Sequence, residues 1–398
     1  MRMPSLDTVI PYFQPIISAD EQEVFAYEVL ARELLDGKAC SLGPFFESKK
    51  IPDSVKFKLD MHVGSLAMEA YVASGSKSKL FINLKPSWVY AYKGQNTPFP
   101  TLLLIEKFGI DPRNVVIEVT EEDLMGDYEV LGRLLAEYRR EGCLLAIDDF
   151  GKGASNFERI AHVMPDIIKI DKSIIPRMDS YRSFFDICHA MASFGDVAGF
   201  DLLFEGVETA SQLESCVAAK GRYFQGYVFS RVRAEIDEPF ENQQLLRDIF
   251  SIRLYREGLM LQRREEVSCE MEWKIENLRL RIPAEEEKLR QAGALQAFGA
   301  ALPYYCIRCF ICDRSGRQLS HIYSLEPGGA VTVQPGESSA WMLRNFFSRG
   351  MDMLHGGRVG VLSVVYKNVD TKEDVVTYMH MLGNDRILCV DILSSFFV

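Results

Sequence analysis

The chain has 398 residues, 47% hydrophobic and 25% charged, a balance that fills a core and at this length favours two domains. Its 45 Lys and Arg against 56 Asp and Glu give a formal charge of −11, which argues against a nucleic-acid polymer as partner, since such binders carry a basic footprint. No run approaches the roughly 20 apolar residues of a membrane span, no basic-then-apolar leader opens the chain, and nine cysteines lie scattered without a framework. The expectation is a cytoplasmic protein with free thiols.

Between residues 24 and 229, short apolar runs alternate with helix-like segments. The runs are Leu80-Phe-Ile-Asn-Leu84, Val115-Val-Ile-Glu-Val-Thr120, Leu144-Leu-Ala-Ile-Asp-Asp149, Ile167-Ile-Lys-Ile-Asp171, Leu202-Leu-Phe-Glu205 and Tyr223-Phe-Gln-Gly-Tyr-Val228. Their near-continuous hydrophobicity marks strands buried on both faces. Between them, Tyr128, Leu131, Leu134, Leu135 and Tyr138 repeat at helical spacing. Strand alternating with helix predicts an α/β parallel sheet, open or closed into a barrel.

Residues 238–299 read as a charged helical spacer that either joins two copies or packs on the barrel. Leu245, Ile249, Ile252 and Leu259 form its stripe, and Pro283 marks a break followed by a fresh helix start. The basic pairs Arg139-Arg140 and Arg263-Arg264 read as solvated helix faces. From Tyr304 the pattern predicts a five-stranded α+β domain: residues 304–312, a turn at Asp313-Arg-Ser-Gly316, then 318–323, 359–366, 375–382 and 387–393, with a helix over 340–347. Trp341, Phe346 and Phe347 read as a helix face packed on that sheet or as a pocket lining. Cys306, Cys309 and Cys312 have metal-like spacing. On a regular strand, however, Cys306 and Cys312 face one side and Cys309 the other, so they do not converge on one ion.

The polar residues at the strand ends carry the chemistry. Glu28, Asn83, Glu118 with Glu121, Asp148 with Asp149, Lys169 with Asp171, Glu205 with Glu208, and Gln225 all fall at or near the ends of otherwise apolar runs. Burying unpaired carboxylates is costly, and in a barrel of βα units these ends converge on one face. Such an acidic cluster needs divalent cations, and all-oxygen donors select Mg²⁺ or Mn²⁺. The adjacent Asp148 and Asp149 suit a bridged metal pair of the kind that serves phosphodiester cleavage. Lys169 is placed to hold the attacking water, and Arg32 to grip a phosphate.

These residues resemble the signature of EAL-domain phosphodiesterases. Glu28-Val-Leu-Ala-Arg32 is similar to the family's Glu-x-Leu-x-Arg, and Asn83 follows in its Asn position. Glu118-Val-Thr-Glu121, Asp148-Asp-Phe-Gly, Lys169-Ile-Asp171, Phe204-Glu-Gly-Val-Glu208 and Gln225-Gly-Tyr succeed in family order across residues 8–235. The resemblance implies a modified (β/α)₈ TIM-type barrel whose first strand runs against its neighbours. It also implies metal ligands at Glu28, Asn83, Glu118, Asp148, Asp149, Asp171 and Glu205 for two Mg²⁺ or Mn²⁺ ions, with Ca²⁺ inhibitory. Lys169 would orient the nucleophilic water, Glu121 brace the loop after Asp149, and Gln225 lie near the catalytic water. Leu30, Arg32 and Glu208 would contact cyclic-di-GMP, hydrolysed to linear pGpG.

The layout resembles EAL proteins of the YkuI type, which implies a barrel over 1–240, a helical connector over 241–300 and a PAS-like regulatory domain over 301–398, in a homodimer. The loop after Asp149 departs from the family pattern: Lys152, Ala154 and Asn156 stand where threonine, tyrosine and serine are usual. That departure keeps a second reading open, a receptor that binds the nucleotide and passes a signal with little turnover. An unrelated metal-dependent barrel enzyme, such as an aldolase type, is the third.

Overall fold

The computed structural model describes residues 2–91, 98–119, 128–152, 157–236, 240–291, 293–326, 331–335, 341–368, 371–383 and 385–397. Contacts divide the chain into two compact units, residues 1–251 and 252–398.

In the first unit, strands β1 (Val9–Ser18), β2 (Val24–Leu35), β4 (Lys79–Leu84), β5 (Val115–Val119), β6 (Leu144–Phe150), β7 (Ile167–Ile170), β8 (Asp201–Phe204) and β9 (Tyr223–Phe224) close into a barrel, and β3 (Lys38–Ser41) extends β2 as a hairpin. β2 and β4 to β9 run parallel, whereas β1 is antiparallel to both β2 and β9. This is the TIM-type barrel with a reversed first strand that the family resemblance implied, and it closes the parallel sheet that the strand pattern left open or closed. β1 carries Pro11 and Pro15, which is why it does not announce itself as a central strand. The expected strand at 223–228 is only two residues long, because the chain turns at Gly226.

The barrel interior is built in layers. Ile16, Ala26, Phe81, Val116, Ala146, Ile167 and Leu203, one from each of seven strands, form a buried apolar cluster of their own, with Tyr223 of β9 packed against it. Side chains two residues apart share a strand face. The next inward layer therefore consists of Gln14, Glu28, Asn83, Glu118, Asp148, Lys169, Glu205 and Gln225, all polar. The residues between, such as Ile82, Ile117, Ile147 and Phe204, point outward into the larger core shared with the helices. The apolar layer is a dry floor, each fully buried large side chain contributing about 1.5–3 kcal/mol. The polar layer lies directly above it.

In the second unit, strands β10 (Cys306–Asp313), β11 (Ile322–Leu325), β12 (Val331–Gln334), β13 (Gly360–Leu362), β14 (Tyr366–Lys367), β15 (Asp374–Met381) and β16 (Arg386–Leu393) form a seven-stranded antiparallel sheet ordered β12-β11-β10-β16-β15-β13, with β14 also on β15. This corrects the expected five strands. The stretch 359–366 is broken in two, and β12, alternately half-buried and exposed, gives little apolar signal. A 36-residue helix, Gln243–Leu278, begins in the first unit and continues into the second. There its Val267, Met271, Ile275 and Leu278 cover one face of the sheet. The helix Asn345–His355 covers the other, with Trp341 stacked on Phe310 at 4.5 Å and Phe346 on Tyr366 at 4.1 Å.

Three readings need correction. A register shift between Cys306 and Arg308 puts Cys306 with Cys309 on the long-helix face, and Cys312 on the other, 3.8 Å from Cys389 Sγ. Arg139 is not a solvated face, since its guanidinium donates to the carbonyls of Val163 and Met164. Arg264 likewise donates to Ser363 O at 2.6 Å and lies over the Phe397 ring. Long side chains of this kind bury their stems and spend their heads on backbone carbonyls.

Candidate active site

Each parallel strand delivers its polar side chain by the same device, an apolar residue on the floor and a polar one two positions later; in the reversed β1 the order is inverted, Gln14 preceding Ile16. β6 adds a second. Between Ile147 and Phe150 it has one residue more than β7 has between Ile168 and Ile170, a bulge that Asp149 accommodates at φ 56°. Consecutive strand residues otherwise point to opposite faces. The bulge re-aims one of them, and with it two adjacent aspartates serve one site.

Lys169, about 1% exposed, is the hub. Its Nζ pairs with Glu118, and lies 2.5 Å from Glu205 Oε1, 3.3 Å from Asp148 Oδ1 and 3.5 Å from Glu28 Oε2. Gln225 Nε2 donates to Glu28 Oε2 at 2.6 Å and reaches Gln14 Oε1 at 3.4 Å. A second group lies beyond the bulge, with Asp149 and Lys152 more exposed and Asp171 buried, 4% exposed. Asp149 Oδ2 is 3.0 Å from Lys152 Nζ, and Asp171 Oδ1 accepts the Ser173 amide at 2.9 Å.

The electrostatics follow from burial. Complete burial, then repulsion from Asp148, drives the Glu118 carboxyl well above the usual range against the pull of Lys169. Glu205 is raised likewise by burial, with Lys169 opposing. At Asp148 burial also pushes upward, yet Lys169 and the neighbouring Glu118 and Glu205 outweigh it and hold the carboxyl below its usual range. Burial alone would discharge Lys169, but its carboxylates hold it protonated.

The remaining expected residues divide. Arg32 donates to Ala31 O at 3.0 Å, and its charge lies within the influence of Glu28 and of Tyr227. Leu30 is half-buried beside it on β2, and Asn83 donates weakly to Val29 O at 3.5 Å. Glu208 stands apart: it is exposed, and its amide donates to Gln212 Oε1. Glu121, Ala154 and Asn156 lie outside the described residues. Gln14 was missed, although a glutamine in mid-strand between Pro11 and Pro15 was a signal. Tyr227 was missed too.

Gly226 fixes the Gln225 strand end. A Cβ there would stand 2.0 Å from Val207 O, while Val207 N–H donates to Gln225 O and Val228 N–H to Val207 O. Gly226→Ala is expected to cost about 2–3 kcal/mol through this backbone clash, read as a lower midpoint in urea unfolding.

The donor set fits hard divalent cations. Glu118, Asp148 and Glu205 offer oxygens within 4.8 Å of one another, and the buried Glu118 Oε2 has no hydrogen-bond partner. With Glu28, Asp149 and Asp171 the carboxylates number six against Lys169 and Lys152. When all are ionised, four negative charges remain for cations to balance.

Comparison with known proteins agrees with this geometry. The EAL domain model matches residues 1–232, and that of the EAL-domain associated signalling protein domain matches residues 248–398. The chain is 29% identical to the uncharacterized EAL-domain containing protein YkuI of Bacillus subtilis, over 98% of this chain and 96% of that one. The crystal structure of YkuI in complex with its substrate cyclic-di-GMP and calcium is similar with a TM-score of 0.83 over 98% of each chain. BlrP1 of Klebsiella pneumoniae, in a manganese and cyclic-di-GMP complex, is 26% identical with a TM-score of 0.50, over 57% of this chain and 56% of its own. The cyclic di-GMP phosphodiesterase RocR of Pseudomonas aeruginosa is 25% identical over 56% of this chain and 57% of its own. No helix among the described residues is long and apolar enough to cross a membrane. By its barrel, its acidic ring and the match over residues 1–232, the chain belongs to the EAL domain family, with an EAL-domain associated signalling protein domain following the barrel.

Proposed function

We propose that the first unit hydrolyses one phosphodiester bond of cyclic-di-GMP, giving linear pGpG, with Mg²⁺ or Mn²⁺ held by Glu28, Asn83, Glu118, Asp148, Asp149, Asp171 and Glu205. The observation that carries this reading is the ring above the apolar floor, where Lys169 meets Glu28, Glu118, Asp148 and Glu205 within 3.5 Å. Bound divalent ions supply Lewis acidity at the scissile phosphate and offset its charge.

The side chains have separate tasks. Lys169, kept cationic by its neighbours, donates to the attacking water and fixes its approach to phosphorus. Water oxygen bonds to phosphorus, the bond to the 3′ oxygen breaks, and that oxygen takes up a proton. Gln225 locks the Glu28 carboxylate by its 2.6 Å hydrogen bond. Arg32 grips a phosphate oxygen through its planar fork, Leu30 packs on the nucleotide, and Glu208 contacts it from the rim.

The test is direct. The full chain is incubated with cyclic-di-GMP and Mn²⁺, and pGpG is followed by chromatography. Product that disappears on chelation supports the reading; tight binding without product favours a cyclic-di-GMP receptor instead. Replacing Mn²⁺ by Ca²⁺ is expected to cut turnover by at least about 100-fold while binding persists, because Ca²⁺ takes more oxygens at longer distances.

A further inference from the structure

Lys152 is a basic side chain beside the acidic cluster that the proposed chemistry leaves unused. Its Nζ lies 3.0 Å from Asp149 Oδ2, and its own amide donates to Asp149 O at 3.1 Å, so the residues from Asp149 to Lys152 form a closed turn clasped through both backbone and side chain. The turn follows directly from the bulge that holds Asp149 at positive φ. Lys152 also faces the charges of Asp171 and Glu47. Its environment differs from that of Lys169. The Lys169 side chain is 1% exposed among its carboxylates, whereas the Lys152 side chain is 58% exposed and that of Asp149 is 30% exposed. One ammonium is part of the structure; the other is a removable arm in water.

We propose that Lys152 is a tethered counter-cation that occupies Asp149 in the metal-free protein and competes there with a divalent ion, making the Asp149 and Asp171 side of the cluster the weaker of two metal positions. This rests on the metal-dependent reading above. With Lys152 in place, Asp149 and Asp171 together offer a net single negative charge; without it they offer two. Like charges a few ångströms apart oppose each other even in water, and solvent exposure moderates the effect. The lysine thus sets the ion concentration at which the second position fills.

The test is calorimetric titration of Mn²⁺ into metal-stripped full-length protein without nucleotide, comparing the wild type with Lys152→Met and Lys152→Arg. The expected result is two binding steps, with Lys152→Met tightening only the weaker one by about tenfold at low ionic strength. Lys152→Arg should match the wild type. Constants within twofold of each other for wild type and Lys152→Met, or a single step in both, would overturn the inference. Turnover of cyclic-di-GMP at saturating Mn²⁺, measured on the same samples, separates the two readings. Hydrolysis with unchanged metal constants removes the role of Lys152 alone. Two steps that shift as expected, without hydrolysis, support Lys152 and remove the phosphodiesterase.

Discussion

Replacing Lys169 by Ala is expected to lower cyclic-di-GMP hydrolysis by about 10³-fold or more while leaving nucleotide affinity within about fivefold. A positioned donor at a reacting centre is worth about 10²–10⁴ in rate. Lys169 is 1% exposed among its carboxylates, so the affinity of a nucleotide gripped by Arg32, Leu30 and Glu208 is not expected to depend on it. The two readouts are pGpG formation at saturating Mn²⁺ and equilibrium binding in Ca²⁺. Loss of both in equal measure would make the lysine a structural strut, and retention of more than a tenth of the turnover would remove it from the chemistry.

Loss of the Lys169 ammonium has a second, independent consequence. In the metal-free protein the ammonium is the buried counter-charge for Glu28, Glu118, Asp148 and Glu205. Breaking such a buried pair by removing one partner typically costs about 3–5 kcal/mol. Lys169→Met, which keeps the volume, is therefore expected to unfold at markedly lower urea than the wild type without metal. Millimolar Mn²⁺ should return most of the difference, because anything bound only by the folded state stabilises it by mass action. A variant whose stability is insensitive to Mn²⁺ would show that the remaining carboxylates do not form a metal site.

Much of the barrel was legible because a strand buried on both faces leaves a continuous apolar run, and β4 to β8 all have one. The site was legible for a related reason: a carboxylate, an amide or a lysine at the end of such a run has no reason to be there except to face a shared centre. What escaped depends on neighbours, not on local pattern. β1 is masked by Pro11 and Pro15, so Gln14 was not seen as a member of the ring, although it pairs with Glu28 across β1 and β2. The bulge at Asp149 is a mismatch in length between β6 and β7, and no single strand records it. In the second unit, the shift at Cys306 moved that residue to the face of Cys309 for the same reason. Arg139 and Arg264 look like surface charges in sequence, since the carbonyls they bind lie 24 or more residues away.

Asp391→Ala is expected to destabilise the second unit by about 3–5 kcal/mol. Asp391 lies on β16 with its side chain fully buried, and pairs with the Arg308 guanidinium on β10. Thr377 Oγ1 donates to Asp391 Oδ1 at 2.7 Å, and Tyr366 OH reaches the same oxygen at 3.4 Å. Arg308 in turn lies over the rings of Phe310 and Trp341, at 5.7 and 5.8 Å. Removing the carboxylate leaves the largely buried Arg308 without that counter-charge and the Thr377 hydroxyl without that acceptor, and those two penalties exceed the modest net worth of any one hydrogen bond. Denaturant unfolding followed by tryptophan emission reads the loss, since Trp341 packs against the network. The double variant Arg308→Met with Asp391→Leu is the decisive comparison. If the cost of Asp391→Ala comes from an uncompensated charge, removing both ions should recover at least about half of it. If the double variant is as unstable as the single one, the loss lies in packing between β10 and β16, and the ion pair is not what holds that sheet together.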